Sequence, residues 1–410
     1  MTIIEFFNKT AIENILSALV CQPERVIYIG YSNRQMRAAI EVYGEVLRSR
    51  CVDTELSFVN VNRNDLRAIT DALEKLVLEH DDCVFNLDGG EELYLVACGK
   101  LVERYPDRLQ LHRFNVRNNT VLDCDADGND QQADSIAIRV EENIRIYGGR
   151  VIFSDERPGT TQRWVFNEAF REDIRALWAV CRTDTRSWNR LVSTLGMLQN
   201  QHPAAEETPL TFRFPQTPHG VEKEDFAQLK QLLRSMAGHG LVHGLWEDAE
   251  GLRFTYKNQQ ILHILEKSGT ALELYVTTVA RGLIDDDERV YNDALSGVWL
   301  DWDGVSQPPF VPDVYNEVDV LLMHGATPVF ISCKSGMMEV DELYKLSTVA
   351  SRFGDKYARM ALVTTSLSDL GDKGKYIRAR AREMGITVVD DVDSLSEREL
   401  ERSLATLWRS

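Results

Sequence analysis

The chain has 410 residues, of which 44% are hydrophobic and 27% are charged, and its formal net charge is −18. This length favours two or three domains, and the composition is that of an ordinary globular protein. The acidic balance argues against a protein that coats DNA by general electrostatic attraction, but it does not exclude a metal-dependent nuclease. A nucleic acid would have to be held by local basic groups and bound cations.

Membrane association is not expected from the sequence. No apolar run approaches the roughly 20 residues that span a bilayer. The first residues, MTIIEFFNKT, lack the basic and apolar regions of a signal peptide. We therefore expect a cytoplasmic protein without a membrane partner.

Residues 1–160 are predicted to form a first domain in which strands and helices alternate. Helical spacing of apolar residues follows each of the first three predicted strands. Strands separated by helices of this length indicate βαβ units, and hence a parallel sheet covered by helices on both faces. The predicted strands have the sequences RVIYIG, TELSFVNV, CVFNLDGG and RLQLHRF.

Two loops after these strands are candidate binding sites, because ligands of open parallel sheets gather at the carboxyl ends of the strands. Both loops combine glycine with polar or charged groups, which suit phosphate or ribose. The alternative for each is an ordinary turn before a helix, and the absence of G-x-G-x-x-G disfavours a dinucleotide. The first loop contains Gly30, Tyr31, Ser32, Asn33 and Arg34, and the second contains Asn86, Asp88, Gly89, Gly90 and Glu91.

Residues 161–268 are predicted to form a middle, mainly helical domain. The order helix, helix, hairpin, helix is compatible with a winged-helix-like fold, whose function would be DNA docking. The alternative is a spacer between the two ends of the chain. Few basic residues lie on the second helix, EKEDFAQLKQLLRSMAGHG, so the spacer is favoured.

Residues 269–410 are predicted to form a third domain of the α/β class. Its order is helix, three strands, helix, strand, helix and strand. A turn at His324–Gly325 returns the second strand along the third, which predicts an antiparallel hairpin. The segments are ALELYVTTVARG, SGVWLDWDG, NEVDVLLMHG, PVFISCKSG, VDELYKLSTVASRFG, MALVTTS, GKYIRARAREMG and TVVDD.

Asp319 and Lys334 are the central candidates for chemistry. The two-residue repeat of a strand puts Asp319 on one face with Glu317, and Lys334 on one face with Ser332. Antiparallel pairing therefore predicts a carboxylate beside an ammonium group. Such a pair suits phosphodiester hydrolysis, in which a carboxylate holds Mg²⁺ or Mn²⁺ and a lysine positions water or stabilises charge. A partly desolvated lysine beside a metal is also expected to have a lowered pKa.

Two neighbouring helices carry further polar groups. The helix after Lys334 presents Glu342, Tyr344 and Lys345, which suit a phosphate or a water. The alternative for this region is a polar patch on a half-exposed hairpin. The second helix is basic and either contacts a nucleic-acid backbone or is a solvated helix face. Its basic residues are Lys375, Arg378, Arg380 and Arg382.

The third domain resembles the PD-(D/E)xK restriction-endonuclease-like superfamily in its order of elements. The segments NEVDVLL, PVFISCKSG and ELYKL resemble its branch fused to a CARF domain, the CRISPR ancillary nucleases, and the resemblance covers essentially the whole chain. It implies an N-terminal Rossmann-like CARF domain, a middle winged-helix-like domain and a C-terminal nuclease domain.

The same resemblance implies roles for individual residues. Asp319 and the main-chain carbonyl of Cys333 would bind the metal directly, and the auxiliary acid Glu273, or Glu317, would bind through water. Ser332 stands where the family has an acid and would donate a hydrogen bond. Fewer anionic ligands predict weaker metal binding with a preference for Mn²⁺ over Mg²⁺. Ser332 also leaves open a disabled core.

The first domain has the pattern N-x-x-G-G before a helix, which resembles the CARF pattern. This implies a homodimer that binds a cyclic oligoadenylate across its two-fold axis, with cyclic tetra-adenylate as the expected ring. Asp88 and Glu91 depart from the family and would repel phosphate if they pointed inward. They either contact ribose hydroxyls or adenine amines, or face away.

The expected function is therefore a metal-dependent endonuclease that a cyclic oligoadenylate activates. It would cut single-stranded DNA, RNA or both, or nick duplex DNA, in type III CRISPR antiviral defence. The alternative is a catalytically disabled, CARF-controlled regulator that binds nucleic acid, with Ser332 as the mark of the disabled site.

Overall fold

The structure is a computed structural model that describes residues 1–116, 120–124, 130–131, 136–285, 287–305, 314–336, 338–365 and 367–409, apart from the side chains at 33, 122, 123, 130 and 131. Within these ranges, no helix combines the length and apolar character needed to cross a bilayer. The strands form a seven-stranded, a three-stranded, a six-stranded and a small two-stranded sheet.

The seven-stranded sheet is built from the N-terminal part of the chain. Its strand order is β3-β2-β1-β4-β5-β6-β7. The first five strands pair in parallel, which confirms the predicted parallel α/β sheet. The elements are β1 (Thr2–Phe6), α1 (Glu13–Cys21), β2 (Arg25–Gly30), α2 (Asn33–Ser49), β3 (Glu55–Asn60), α3 (Leu66–Glu79), β4 (Cys83–Asn86), α4 (Glu92–Arg104), β5 (Leu109–Asn115), β6 (Thr120–Asp123) and β7 (Asp130–Gln131).

The sequence prediction misses β1 and α1, and this changes the topology. β1 is a central strand that pairs with β2 on one side and β4 on the other. The chain therefore proceeds outward to β2 and β3 on one side, then to β4 and β5 on the other. The switch point of the sheet, where ligands of such folds bind, lies at the carboxyl ends of β1 and β4.

The middle part of the chain contains helices and a three-stranded antiparallel sheet of order β10-β11-β9. Two short elements, α5 and β8, precede it. In chain order the elements are α5 (Val140–Ile146), β8 (Arg150–Ile152), α6 (Glu168–Cys181), α7 (Thr185–Gln201), β9 (Thr211–Phe214), α8 (Lys223–Gly238), β10 (Val242–Asp248), β11 (Gly251–Tyr256) and α9 (Gln259–Ile264).

The six-stranded sheet of the C-terminal part has the order β18-β17-β16-β15-β14-β8. β8, which the sequence-based boundary at residue 160 assigns to the first domain, is an edge strand here and pairs with β14. The C-terminal elements are α10 (Thr270–Gly282), β12 (Ile284–Asp285), β13 (Glu288–Arg289), β14 (Asp293–Asp301), β15 (Tyr315–His324), β16 (Thr327–Lys334), α11 (Asp341–Gly354), a 3-10 turn (Asp355–Tyr357), β17 (Arg359–Thr364), α12 (Asp372–Glu383), β18 (Ile386–Val389) and α13 (Glu397–Leu404).

Both faces of the six-stranded sheet are buried, each against a different part of the chain. On one face, Val320 and Val329 belong to the same apolar cluster as α6, α7 and α8 of the middle part. On the other face, Leu321 and Phe330 share a cluster with Tyr28 of the first sheet. The middle part therefore packs directly against the six-stranded sheet.

Glu142 joins α5 to the first sheet. Arg50 at the end of α2 lies 2.6 Å from the Glu142 carboxylate, and Arg139 lies 2.9 Å from it. Burial opposes ionisation of Glu142, but the hydrogen bonds from Arg50 and Arg139 outweigh burial and lower its pKa to about 2.

Glu142→Gln is expected to lower the free energy of unfolding at pH 7 by about 2 to 3 kcal/mol, because the charged form gains the contacts. Since the pKa is lower in the folded state, this contribution is complete above about pH 5 and is lost as pH falls from about 4.5 towards 2. Urea denaturation at a series of pH values measures it. Glu141→Gln, an exposed neighbour, is the control, and equal effects of both substitutions would contradict the assignment.

Candidate functional site

The Asp319 carboxylate lies where β15 and β16 separate. The two strands pair antiparallel from His324–Thr327 to Val320–Ile331. Beyond the last pair, Oδ2 of Asp319 accepts hydrogen bonds from the Cys333 amide at 2.7 Å, the Ser332 hydroxyl at 3.1 Å and the Lys334 ammonium at 3.1 Å. The predicted hairpin thus brings Asp319, Ser332 and Lys334 together.

Lys334 is held as a cation between two carboxylates. Besides Asp319, its ammonium lies 3.4 Å from Glu342 at the start of α11, which in turn pairs with Lys345 at 2.6 Å. Burial lowers the pKa of Lys334, but the charge and hydrogen bond of Asp319 and the charge of Glu342 outweigh it and raise the pKa. In the absence of a metal ion, the two acids within reach of Lys334 therefore outweigh the lowering that burial causes.

Glu273 approaches the same site from α10. Its carboxyl group makes no hydrogen bond or ion pair with the part of the chain that the structure describes, and burial, followed by the charges of Asp319 and Glu317, raises its pKa to about 8. Gly297 of β14 lies between the pairs Ser296–Val320 and Val298–Val318, level with Asp319. A Cβ at Gly297 would lie 3.7 Å from Glu273 Oε2, so this glycine leaves space beside the carboxyl group.

Two adjoining cavities meet at Glu317. One, of about 300 Å³, is lined by Glu317, Asp319, Ser332, Lys334 and Glu342, among others. A smaller one, of about 70 Å³, is lined by Glu317 and Glu273. Glu317 is exposed, and Lys267 lies 3.7 Å from its carboxylate. Each of the six predicted site side chains therefore lines at least one of the two cavities.

The oxygen atoms of this region fit a cation only in part. No group of three or more His, Cys, Asp or Glu side chains in the described ranges is close enough to hold a metal by itself. However, Oδ1 of Asp319 accepts no hydrogen bond from the described residues, and Glu273 is likewise free. Carboxylate oxygens with open positions suit Mg²⁺ or Mn²⁺, which keep several waters and bind one or two carboxylates.

The basic helix predicted to contact nucleic acid, α12, is mostly neutralised by its own surroundings. Arg378 pairs with Asp390, the residue that directly follows β18. Within α12, Lys375 pairs with Asp372 and Arg380 pairs with Glu383. Of the four basic residues, Arg382 has no acidic partner among the described residues. This favours the alternative, a solvated helix face.

In the first sheet, the glycine pair after β4 is required by packing against β1. A Cβ at Gly89 would lie 2.3 Å from the carbonyl oxygen of Phe6, and Gly90 has a φ of +101°. The lack of a side chain at Gly89 therefore lets the loop approach the backbone of β1 closely. Gly90, in contrast, is exposed. Gly30 at the end of β2 similarly leaves room for the Met36 side chain.

Two polar residues of this loop point away from the surface at the switch point. The buried Asn86 side chain donates to both carboxylate oxygens of Glu5 on β1 at 2.9 Å. Asp88 accepts from the Phe114 amide of β5 at 2.8 Å, and burial raises its pKa to about 7. Of the two possibilities for Asp88, it therefore faces away from the opening.

The exposed groups at the switch point are aromatic and basic. Tyr31 is 47% exposed, and the Arg63 guanidinium lies 4.6 Å from its ring centre and 3.1 Å from Glu91. Arg34 in the first turn of α2 and Lys9 after β1 are exposed and have no acidic partner within the described ranges. Ser32 is partly exposed beside Tyr31, and the side chain of Asn33 lies outside the described residues.

The sequence prediction missed Lys9 and the rest of the segment after β1, because it missed the strand. The signal that could have found it is the β-branched pair in TIIEF immediately before FNKT.

A polar cluster connects this switch point to the C-terminal part. Glu13 of α1 accepts from the Asn8 amide group at 2.5 Å and from the Tyr357 hydroxyl at 2.5 Å, and it pairs with Lys356 at 2.6 Å. The Thr10 hydroxyl donates to Asp355 at 2.9 Å. We call these residues the junction cluster. Its C-terminal members lie in the 3-10 turn that directly follows α11, and Glu342 lies at the other end of that helix.

No protein-family model matches the chain, and no curated protein sequence matches it significantly. Solved structures do match over the whole chain. Protein VC1899 from Vibrio cholerae is 18% identical with a TM-score of 0.72, and the match covers 100% of this chain and 98% of that one. Can2 from Sulfobacillus thermosulfidooxidans, solved in complex with cyclic tetra-adenylate, is 15% identical with a TM-score of 0.64, covering 100% and 97%. The chain shares the fold of these proteins.

Glu273→Gln is expected to stabilise the metal-free protein at pH 8 by at least about 1 kcal/mol relative to wild type, because the folded state of the wild type retains a proton that the unfolded state releases. Since the folded pKa is raised to about 8, wild-type stability falls as pH rises from about 4.5 to 8. Urea denaturation in a chelating buffer at pH 5 and pH 8 measures the difference. The exposed Glu266→Gln is the control, and an effect of Glu273→Gln that does not change with pH would refute the assignment.

Proposed function

We propose that the chain is a metal-dependent endonuclease whose active site is centred on Asp319 and Lys334 and whose first sheet is a sensor for a cyclic oligoadenylate. The observation that carries the proposal is the Asp319 carboxylate that touches Ser332, Cys333 and Lys334 at a strand end, with the free Glu273 carboxyl beside it. The substrate class is single-stranded DNA, RNA or both, or duplex DNA that the enzyme nicks, in type III CRISPR antiviral defence. The fold shared with Can2, which was solved with cyclic tetra-adenylate, supports this assignment.

Each residue of the nuclease site has a distinct task in this proposal. Asp319 binds a divalent cation through Oδ1, with the Cys333 carbonyl as a further ligand and Glu273 or Glu317 acting through water. The bound Mn²⁺ or Mg²⁺ supplies polarisation of the phosphate and acidification of a water. Lys334, whose pKa is raised, stays protonated and stabilises negative charge that develops on the phosphate. Glu342 holds the Lys334 ammonium in place from α11.

The sensor site uses the exposed groups at the switch point. Lys9 and Arg34 supply positive charge for the phosphates of a cyclic tetra-adenylate, and Tyr31 supplies an aromatic face for an adenine. A homodimer with its two-fold axis at this edge presents each group twice, which matches the symmetry of the ring. Glu91 holds Arg63 over Tyr31 and so orients this ring.

The junction cluster provides the connection between sensor and nuclease. Asn8 lies at the carboxyl end of β1, so a ligand that binds the Asn8 amide competes directly with Glu13 for it. Release of Glu13 alters its contacts with Tyr357 and Lys356 and thereby the position of α11. The ligand can shift this equilibrium only through a difference in affinity for the two arrangements.

Two features favour the second candidate, a regulator that binds nucleic acid without cutting it. Ser332 occupies the place of an acid, and within the described ranges no three potential ligands converge. Metal-independent binding of duplex DNA together with no cleavage by any metal would support the regulator.

Asp319→Asn is expected to reduce cleavage of labelled single-stranded DNA and RNA by at least about 100-fold, because it removes the carboxylate that holds the cation. Lys334→Ala is expected to do the same, since it removes the charge at the phosphate. Cleavage is measured with Mn²⁺ or Mg²⁺ and with or without cyclic tetra-adenylate. The controls are Asp372→Asn and Lys375→Ala on the exposed surface of α12, and equal cleavage by all four variants would sink the assignment.

Tyr357→Phe is expected to leave the affinity for cyclic tetra-adenylate within about threefold while lowering the activation ratio at least about tenfold, because it interrupts the junction cluster without removing the Asn8–Glu13 contact. Glu13→Gln is expected to lower the activation ratio as well, but to raise the affinity, because it weakens the contact with which the ligand competes. Calorimetry measures ligand binding, and cleavage at saturating ligand measures activation. The exposed Glu24→Gln is the control. Full activation in both junction variants would show that the signal travels elsewhere.

A further inference from the structure

Two neighbouring residues of α7, which belongs to the middle part of the chain, bind the segments on either side of the nuclease site. One segment precedes α10 and the other follows β16. The Trp188 indole N–H donates to the carbonyl of Ser268 at 2.9 Å. The Asn189 side-chain amide donates to the carbonyl of Ser335 at 2.7 Å, and the Ser335 hydroxyl donates back to the Asn189 side-chain oxygen at 3.3 Å.

Both contacted serines stand immediately before or after a functional element. Ser268 and Gly269 precede α10, and Glu273 lies in the first turn of that helix. Ser335 follows Lys334, the last residue of β16. A single stretch of α7 therefore sets the position of the helix that carries Glu273 and of the strand end that carries Lys334.

The chain after Lys334 needs a partner at this point because it leaves the sheet. The Lys334 carbonyl still accepts from the Thr365 amide at 3.2 Å, and Gly336, with a φ of +104°, turns the chain away. The Ser335 carbonyl between them is bound by Asn189 instead of by a strand. An asparagine suits this place because it donates to the carbonyl and accepts from the hydroxyl at the same time.

Trp188 is 2% exposed, so its indole N–H is removed from water and needs an acceptor. The acceptor is the carbonyl that stands two residues before α10. This bond fixes the start of the helix relative to α7, while the ring itself belongs to the apolar cluster that the middle part shares with the six-stranded sheet.

We infer that Trp188 and Asn189 are positioning residues of the nuclease site, which makes the middle part of the chain a component of the active-site frame. This inference rests on the proposed function of that site. The two residues set the separation between the Lys334 ammonium and the Glu273 carboxyl, and hence the space in which a scissile phosphate and its cation fit. Because neither residue touches the cavity that Asp319 lines, they act only through the segments they hold.

The test uses the full chain with Asn189→Ala, Asn189→Asp and Trp188→Phe, which remove the donated hydrogen bonds. The exposed Asn200→Ala on α7 is the matched control. Ser335→Ala removes only the weaker, returning hydrogen bond. Hydrogen–deuterium exchange of residues 268–272 and 334–336 reports whether α7 restrains these segments, and it does so even if the protein cleaves no substrate. Cleavage kinetics at saturating Mn²⁺ and cyclic tetra-adenylate report the effect of these contacts on catalysis.

We expect faster exchange at 334–336 in both Asn189 variants and at 268–272 in Trp188→Phe. We also expect kcat to fall about tenfold with KM unchanged, as for partners that orient active-site groups, and Ser335→Ala to stay within about twofold of wild type. Unchanged exchange, or faster exchange with unchanged kcat, would overturn the inference. If wild type itself cuts nothing, the proposed function fails, and the exchange measurement still decides whether α7 holds the two segments.

Discussion

Burial of both faces of the six-stranded sheet is the constraint on which the rest of the structure depends. A strand such as β15 sends Val320 and Leu322 into the cluster shared with the middle part and Leu321 and Met323 into the cluster shared with the first sheet. All four side chains are fully buried. Apolar burial is the dominant favourable term in folding, so removal of either neighbour would expose one face of the sheet to water. The first sheet, the middle part and the six-stranded sheet therefore stabilise one another.

The polar groups of the two sites lie where this apolar packing ends. Asp319 sits where β15 and β16 separate, and Glu273 lies beside a glycine that leaves a gap at the same level. The switch point of the first sheet and the 3-10 turn after α11 meet through the buried carboxylate of Glu13. A buried carboxylate is costly unless it is paired and hydrogen-bonded, and here its partners come from both parts of the chain. Local charge arrangement, and not the net charge of −18, governs each site.

The sequence predicts those features that depend on local periodicity. Alternation along NEVDVLL and PVFISCK is enough to place Asp319 beside Lys334, and the βαβ pattern is enough to predict a parallel sheet. Sequence patterns do not reveal β1, because its five residues begin at the second position and turn signals bound the strand on one side only. The pKa of Lys334 is raised mainly by Asp319 but also by Glu342, which lies on another element. The hydrogen bond from Asn189 to Ser335 joins residues 146 positions apart. No periodic pattern encodes contacts of that kind.

The position of β8 has a consequence for how the protein is made. This strand leaves the ribosome with the first sheet, but its partner Trp299 on β14 is synthesised almost 150 residues later. During that interval the backbone edge of β8 has no strand to pair with, and an open strand edge is a point at which nascent chains associate wrongly. A fragment of the protein that ends at residue 160 would contain β8 without β14, so the edge of β8 would stay unpaired. Fragments that begin upstream of α5 keep the edge strand with the sheet it completes.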